Sequence, residues 1–559
     1  MSTTSPCVHE ISDAFVADYA ALDPNTASFV GISGFEHELT DLSPEGCQER
    51  ADLTARAVRE VEASAPADDS EHAAKAVFLE RNRLALELHE SGLDLSLLNG
   101  ISSPVQELRV AFDLMPTETT EHWQAIAARL AKVPTSLAGL RTSLTKAAAD
   151  GNIAAVRQVD KAIGQCENWS GGTGNQPFFA ALVAGAEVGD GLRAELVAGA
   201  EAAGKGYADL AAFLRAELAP QAPVKDAVGE EEYRLKSRFF TGAALDLAEC
   251  YEWGWTEFLR IEAEMKQVAD RIKPGATPAE AAALLDADPR YQLNGQDALR
   301  DWMQTLSDKA LSDMRGVHFD IPDALMALDC KIAPPGGSVG AYYVGPSDDL
   351  SRAGAMWWSV PADRESFSTW RETTTVYHEG VPGHHLQIAT AVHNADRLNR
   401  FQRLMCWVPG HGEGWALYAE RLVRELGYLD EDGDLLGMLD AQLFRAARVV
   451  LDIGMHLELP IPAGIGFHDG ERWTAELGLE FLLTRTLTDP DHVPDEIDRY
   501  LGWPGQAPSY KLGEQQWLTA RADAQARHGE SFDIKAFHRQ ALELGSMGLD
   551  TLRECLAQF

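Results

Sequence analysis

Residues Thr373–Ala389 read TTTVYHEGVPGHHLQIA and place His378, Glu379, His384 and His385 within eight positions of one another. A His-Glu pair followed one turn later by a second His lets a helix present two imidazoles to a zinc ion and a carboxylate to the water beside it. In a regular helix, positions i and i+4 differ by about 40° in direction, so both rings reach one ion. Here the i+4 position is Pro382. On a straight helix His378 and His384 stand about 240° and about 9 Å apart, and His378 and His385 about 10.5 Å apart, so neither pair chelates one ion. Gly380, Pro382 and Gly383 are residues that kink or bulge a helix. With Val381 and Pro382 bulged out, the remainder reads His-Glu-Gly-Gly-His, and His384 becomes the second ligand. A bulge one residue longer selects His385 instead.

A two-His site needs a carboxylate from a second helix, with the fourth position left to water. Pro409–Glu420, PGHGEGWALYAE, starts such a helix after a Pro-Gly turn and carries Glu413 near its beginning. Glu420 lies two turns along the same face, but its setting, YAERLVREL, reads as a surface pair with Arg421 or Arg424. Glu413 is therefore the expected third ligand. His411 is an alternative ligand, better suited to binding substrate.

Outward from this centre the pattern is helical. Ala73–Leu88 and His122–Leu140 have apolar residues recurring at three and four, as do Asp246–Lys273 and Pro278–Leu285. Ala219–Val228, APQAPVKDAV, breaks the periodicity and marks a boundary between a helical lobe at 1–225 and a catalytic lobe at 226–559. From Pro334 the glycines crowd together. Ala341–Val344 and Ala355–Val360 read as a small antiparallel pair within 334–360. Helical pattern then resumes, with the metal-binding helices across 368–427 and breaks at Pro460–Gly470 and Trp503–Pro508. The expected fold is mainly α and two-lobed, with a small antiparallel sheet beside the active-site helix.

Composition narrows the function classes. The chain has 559 residues, longer than one ordinary core supports, and its formal charge is −38. That acidity argues against a nucleic-acid surface and against docking on anionic lipid. It also biases association toward basic or neutral substrates. The opening MSTTSPCVHEISDAF lacks the basic start and apolar run of a secretory signal. Seven scattered cysteines without a CxxC pair read as reduced thiols. Together these predict a cytoplasmic protein.

Several segments carry a family resemblance: SFVGISGFEHELTDLSP near the start, AYYVGPSDDLSRAG, HEGVPGHHLQ, EGWALYAE, RVVLDIGMH at Arg448–His456, and PGQAPSYKLG at Pro504–Gly513. The chain resembles the bacterial domain of unknown function 885 family, regarded as zinc-dependent peptidases. The resemblance implies a gluzincin-like helical catalytic lobe, distantly similar to angiotensin-converting enzyme and the oligopeptidases. The run IPAGIGFHDG after Pro460 departs from the shorter aromatic turn of relatives, which touches one loop and not the site.

Chemistry supplies the remaining candidates. Peptide hydrolysis builds an oxyanion that needs a donor, and Tyr510, with Lys511 beside it, follows a turn that can aim it inward. Asp452 and His456, at i and i+4, are candidates for orienting a metal-bound imidazole. Arg352 can grip a substrate carboxylate, and Tyr342 and Tyr343 can flank an extended peptide paired with their strand. His385, if not a ligand, joins the substrate-binding set. Gly336–Gly340, GGSVG, formally matches a nucleophile elbow but lacks a strand before and a helix after it. Asp430–Asp434, DEDGD, lacks the glycine a calcium loop needs. The expectation is a hydrolase with one Zn2+ per chain, cleaving short peptides or small amides in an enclosed site. Its metal ligands are His378, His384 and Glu413, its base Glu379, and its oxyanion donor Tyr510. The alternatives are a non-catalytic helical metal- or ligand-binding protein, and a zinc hydrolase of a non-peptide amide.

Overall fold

The computed structural model describes residues 6–333, 340–347, 350–361 and 364–558. Helices dominate, and the chain forms two compact units. The first comprises Met1–Ala67, Phe78–Ala227 and Leu501–Trp503; the second comprises Asp68–Val77, Val228–Tyr500 and Pro504–Phe559.

In the first unit the expected helix around His122–Leu140 runs from Thr120 to Ala149, its start capped by the Thr119 hydroxyl accepting from the His122 N–H. It continues through Pro134, beside the helix Asp190–Phe213. Gly199 makes that approach possible, because a Cβ there would sit 2.8 Å from Leu130 Cβ. Leu130, Val133, Leu137, Ala203 and Tyr207 fill the resulting core. The expected helices at Ala73–Leu88, Asp246–Lys273 and Pro278–Leu285 are found as Asp69–Glu90, Leu247–Ile272 and Pro278–Ala287.

The second unit holds five short strands among the described residues: β1 Gln292–Asn294, β2 Leu328–Ile332, β3 Gly340–Val344, β4 Gly354–Ser359 and β5 Ser366–Ser368. β1 and β5 form an antiparallel pair. The three-stranded sheet has the order β2-β4-β3, with Ala341 opposite Trp358 and Tyr343 opposite Met356 in the antiparallel β3–β4 pair. That pair is the one expected. β2 adds a parallel strand before the glycine-rich run; its sequence LDCKI carries two charges in five residues, which masks the strand signal. β3 is an edge strand, so one side of its backbone is free of the sheet. Gly336, Gly337, Ser338 and Val339 of the GGSVG match lie outside the described residues.

Close helix approaches at glycines organise the second unit. A Cβ on Gly437, in the helix Asp432–Leu457, would stand 1.9 Å from Trp370 O in the helix Thr369–Glu379. A Cβ on Gly513, in the helix Ser509–His528, would stand 1.9 Å from Gly410 O, and one on Gly414 would stand 2.5 Å from Gly513 Cα. The helix Pro409–Glu425 therefore meets Ser509–His528 backbone to backbone, and a methyl group there can be housed only by forcing the helices apart. Gly513→Ala is expected to cost about 1–3 kcal/mol. Gly204→Ala, in a helix of the first unit where a Cβ meets nothing within 4 Å, should be neutral or stabilising by up to about 1 kcal/mol. Denaturant midpoints of the two variants check this; equal midpoints would refute the tight crossing.

Candidate metal centre

The helix Thr369–Glu379 stops one residue after His378. Gly380 leaves the helical region (φ −94°, ψ −126°), a cis Val381–Pro382 bond follows, and a second helix, His384–His393, starts from Gly383 (φ −74°, ψ −129°). The expected bulge within one helix is thus a break between two. Pro382 has no N–H to continue the first helix, and a Cβ on Gly383 would stand 1.9 Å from His378 O, so only glycine lets the chain fold back so closely. Trp415, from the Pro409–Glu425 helix, pins the break by donating its indole N–H to Pro382 O at 2.9 Å. The fold-back brings the His378 and His384 rings to 4.8 Å, nearly perpendicular at 89°.

Glu413 Oε2 lies 3.4 Å from His378 Nε2 and 3.5 Å from His384 Nε2. The three residues offer ligand atoms all within 4.8 Å of one another. Ligands about 2.0–2.1 Å from a tetrahedral zinc are about 3.4 Å apart, so the two distances to Glu413 suit that ion. The other ring nitrogen of His378 meets Glu420 Oε1 at 2.8 Å. Burial alone would raise the Glu420 carboxyl, but the His378 hydrogen bond and charge hold it below its ordinary value. An ionised Glu420 only accepts, so His378 Nδ1 donates and Nε2 is left facing Glu413. Glu420 is therefore not the surface residue expected from its charged neighbours. It is buried, and Gln442 Nε2 donates to its second oxygen at 3.0 Å.

The electrostatics favour positive charge at this point. Burial opposes a charged imidazole, yet hydrogen bonds with Glu413 and Glu420 lift His378 to about 10. Burial likewise opposes a charged Glu413, yet His378 and His384 hold its carboxyl far below the usual range. Glu379 is pushed up by burial, against the charges of His384 and His378, and its Oε2 has no hydrogen-bond partner among the described residues. The triad and Glu379 line a cavity of about 430 Å3 together with Tyr342, Tyr343, Trp407, Arg445, Arg448 and Tyr510. All of these residues belong to the second unit. Tyr510 lies under the Arg448 guanidinium, 5.0 Å from ring centroid to Cζ, and its hydroxyl is pushed up by burial and by the Glu413 charge.

The family model described as "Bacterial protein of unknown function (DUF885)" matches residues 24–556. The chain belongs to this family. No curated protein matches it. Two solved structures share the fold over nearly the whole of both chains. One is from Colwellia psychrerythraea, with TM-score 0.85 and 22% identity over 99% of this chain and 98% of the other. The second is from Shewanella oneidensis, with TM-score 0.76 and 18% identity over 98% and 99%. Each is described as a "putative lipoprotein". That overturns the cytoplasmic placement expected above, since the fold is found in proteins so described. The cysteines are free, but scattered thiols that cannot pair say little about compartment.

The other expected site residues divide. Tyr342 and Tyr343 reach the cavity from β3, with Tyr342 stacked on Trp357. His385 does not line it. Its Nε2 donates to Leu325 O at 2.9 Å, so its Nδ1 accepts from the Tyr343 hydroxyl at 2.9 Å, and its work is to hold Tyr343. His411 is buried with its ring against Trp517, 5.2 Å away, and is not a cavity wall. Lys511 is buried in a cluster with Glu257, Gln442 and Glu514, which takes all its donors away from substrate. Arg352 closes its own turn, donating to Gly345 O at 2.8 Å and to Ala353 O at 3.2 Å.

Asp452 and His456 do not orient the ligands either. His456 Nε2 donates to Tyr500 O at 2.9 Å. Asp452 Oδ1 accepts from the Tyr233 hydroxyl at 2.5 Å and from the Gly505 N–H at 2.9 Å, while its Oδ2 has no partner among the described residues. Burial raises this carboxyl from 3.8 to about 7, against the hydrogen bonds from Tyr233 and Gly505. A raised folded value means the folded chain keeps a proton that the unfolded chain releases. The stabilisation it brings is complete below about pH 4 and is lost as pH rises through about 7. Asp452→Asn, which keeps both acceptor contacts, should therefore gain stability over the parent between pH 5 and pH 8. Denaturation across that range checks the slope, and parallel profiles would count against it.

Proposed function

We propose that the protein is a zinc-dependent hydrolase of amide bonds in short peptides. One observation carries this: two imidazole nitrogens each stand near the edge length of a zinc tetrahedron from one carboxylate oxygen, in a cavity that also holds the unpartnered oxygen of Glu379. His378, His384 and Glu413 would hold the ion. When bound, zinc supplies Lewis acidity to the carbonyl and makes water more acidic. Glu379 takes the proton from the attacking water and hands it to the departing amine; its raised affinity for protons suits both halves of that exchange. Tyr510 donates its hydroxyl to the oxygen on which charge builds. A peptide-binding role adds to this from β3, whose free edge can pair with an extended backbone while Tyr342 and Tyr343 bound the cavity. A space of about 430 Å3 takes a few residues and not a folded protein.

Elemental analysis before and after chelation is the deciding experiment. About one zinc per chain is expected, and none would defeat the proposal. His378→Ala, His384→Ala and Glu413→Ala should lose the ion, while His385→Ala should retain it. Glu420→Ala should weaken zinc binding by about 10–100-fold without removing a ligand. Glu379→Gln should keep zinc and lose at least about 10²-fold in turnover of a short peptide; full activity in that variant would rule Glu379 out as the base. Zinc bound with no turnover of any peptide or amide would favour a binding protein instead.

A further inference from the structure

Two arginines line the cavity one helical turn apart on the helix Asp432–Leu457, and their surroundings differ. Arg448 is occupied. It pairs with Glu496 at 3.0 Å and lies over the rings of Phe444 and Tyr510. Arg445 is less constrained: it is half-buried, and the charges of Glu379, Glu420 and Asp440 interact with it without a hydrogen bond to any of them among the described residues. Its one hydrogen bond runs to Ala441 O on its own helix at 3.2 Å, and its buried Nε has no acceptor. Among the described residues it has no ion-pair partner. Of the nearby acids, Glu413 faces His378 and His384 and Glu420 holds His378 and Gln442, while Glu379 lines the cavity with one oxygen unpartnered among the described residues.

A half-buried guanidinium with one hydrogen bond has N–H groups left to donate, and its planar fork is shaped to donate to both oxygens of one carboxylate. A neutral amide offers it one oxygen and no charge. Resting on the hydrolase proposal above, we infer that Arg445 is the specificity-determining anchor for a carboxylate of the substrate. With zinc ligands and Arg445 on the wall of one small cavity, a peptide held by its carboxylate lies with a carbonyl near Glu379. Two sources offer this chemistry, the free C-terminus of a peptide and an acidic side chain. Bulk repulsion by a chain of charge −38 slows the approach of acids, so an equilibrium preference for them would have to come from the site itself.

The test uses equilibrium binding, which needs no turnover. The full-length, zinc-supplemented Glu379→Gln protein is titrated by calorimetry with an N-acetylated dipeptide as its free acid, as its C-terminal amide, and as an amide ending in glutamate. At least about tenfold tighter binding of a carboxylate-bearing ligand over the plain amide is expected. The free acid alone points to the C-terminus, and the glutamate amide points to the side chain. Arg445→Gln should bring the ratio close to one, and Arg445→Lys should restore part of it. Equal affinities, no binding of any ligand, or a preference that survives Arg445→Gln would overturn the assignment. A carboxylate preference in a protein that hydrolyses no peptide would leave Arg445 as the anchor and defeat the hydrolase proposal alone.

Discussion

The second unit turns on a place where two helices touch without side chains between them. Gly410 and Gly414 on one helix meet Gly513 on the other so closely that a Cβ on Gly513 would sit 1.9 Å from a carbonyl oxygen. Glu413 lies between the first two glycines and Tyr510 one turn before the third, so the carboxylate and the phenol take their positions from that crossing. The axes of ordinary helix pairs stand about 8–10 Å apart with side chains interleaved between them. Removing those side chains brings two functional groups into one small cavity, at the cost of helix-weakening glycines. The same device recurs at Gly437 against Trp370, where it sets the helix bearing Arg445 against the helix bearing His378.

Behind the triad runs a chain of buried polar contacts. His378 leans on Glu420, Glu420 on Gln442, and Gln442 on Lys511, which is also paired with Glu257 and Glu514. Arg421 completes the cluster by pairing with the same two glutamates. Each buried charge here has an opposite charge or a strong hydrogen bond, as burial demands. Gln442 matters because it bridges. Its amide donates an N–H to an acid on one side and accepts a hydrogen bond from an ammonium on the other, so the orientation of His378 is tied to a buried cluster.

The helices and the β3–β4 pair were legible because periodicity and glycine punctuation are local properties of sequence. The triad was legible in part. His378, Glu379, His384 and Glu413 stand in recognisable chemical company, but the break at Gly380–Gly383 replaces the regular spacing on which that company is usually recognised. Residues misjudged were those whose partners are remote in sequence. Glu420 sits among arginines and looks like a surface residue, yet its hydrogen bond reaches back 42 positions to His378. Lys511 looks available beside Tyr510, yet its partner Glu257 is 254 positions away. Asp452 reaches Tyr233 across 219 positions. Arg445 escaped notice because an arginine every few residues on a helix is ordinary, and what sets it apart is its place on the cavity wall with no hydrogen-bonded acid among the described residues.

Charge within the cavity is arranged independently of the charge on the whole chain. The net value is −38, but two acids, Glu379 and Glu413, and two arginines, Arg445 and Arg448, line the cavity, so these four formal charges cancel. They are also segregated by element: the acids come from the helices Thr369–Glu379 and Pro409–Glu425, the arginines from Asp432–Leu457. A cavity with an acidic wall that draws a cation and a basic wall that draws an anion has a direction. A symmetric distribution would hold a ligand either way round, whereas on the proposed reading a ligand's negative end lies toward Arg445 and its polarisable carbonyl toward the imidazoles. Surface acids, screened by salt within about 10 Å, can alter how fast a ligand arrives but not which way it lies once inside.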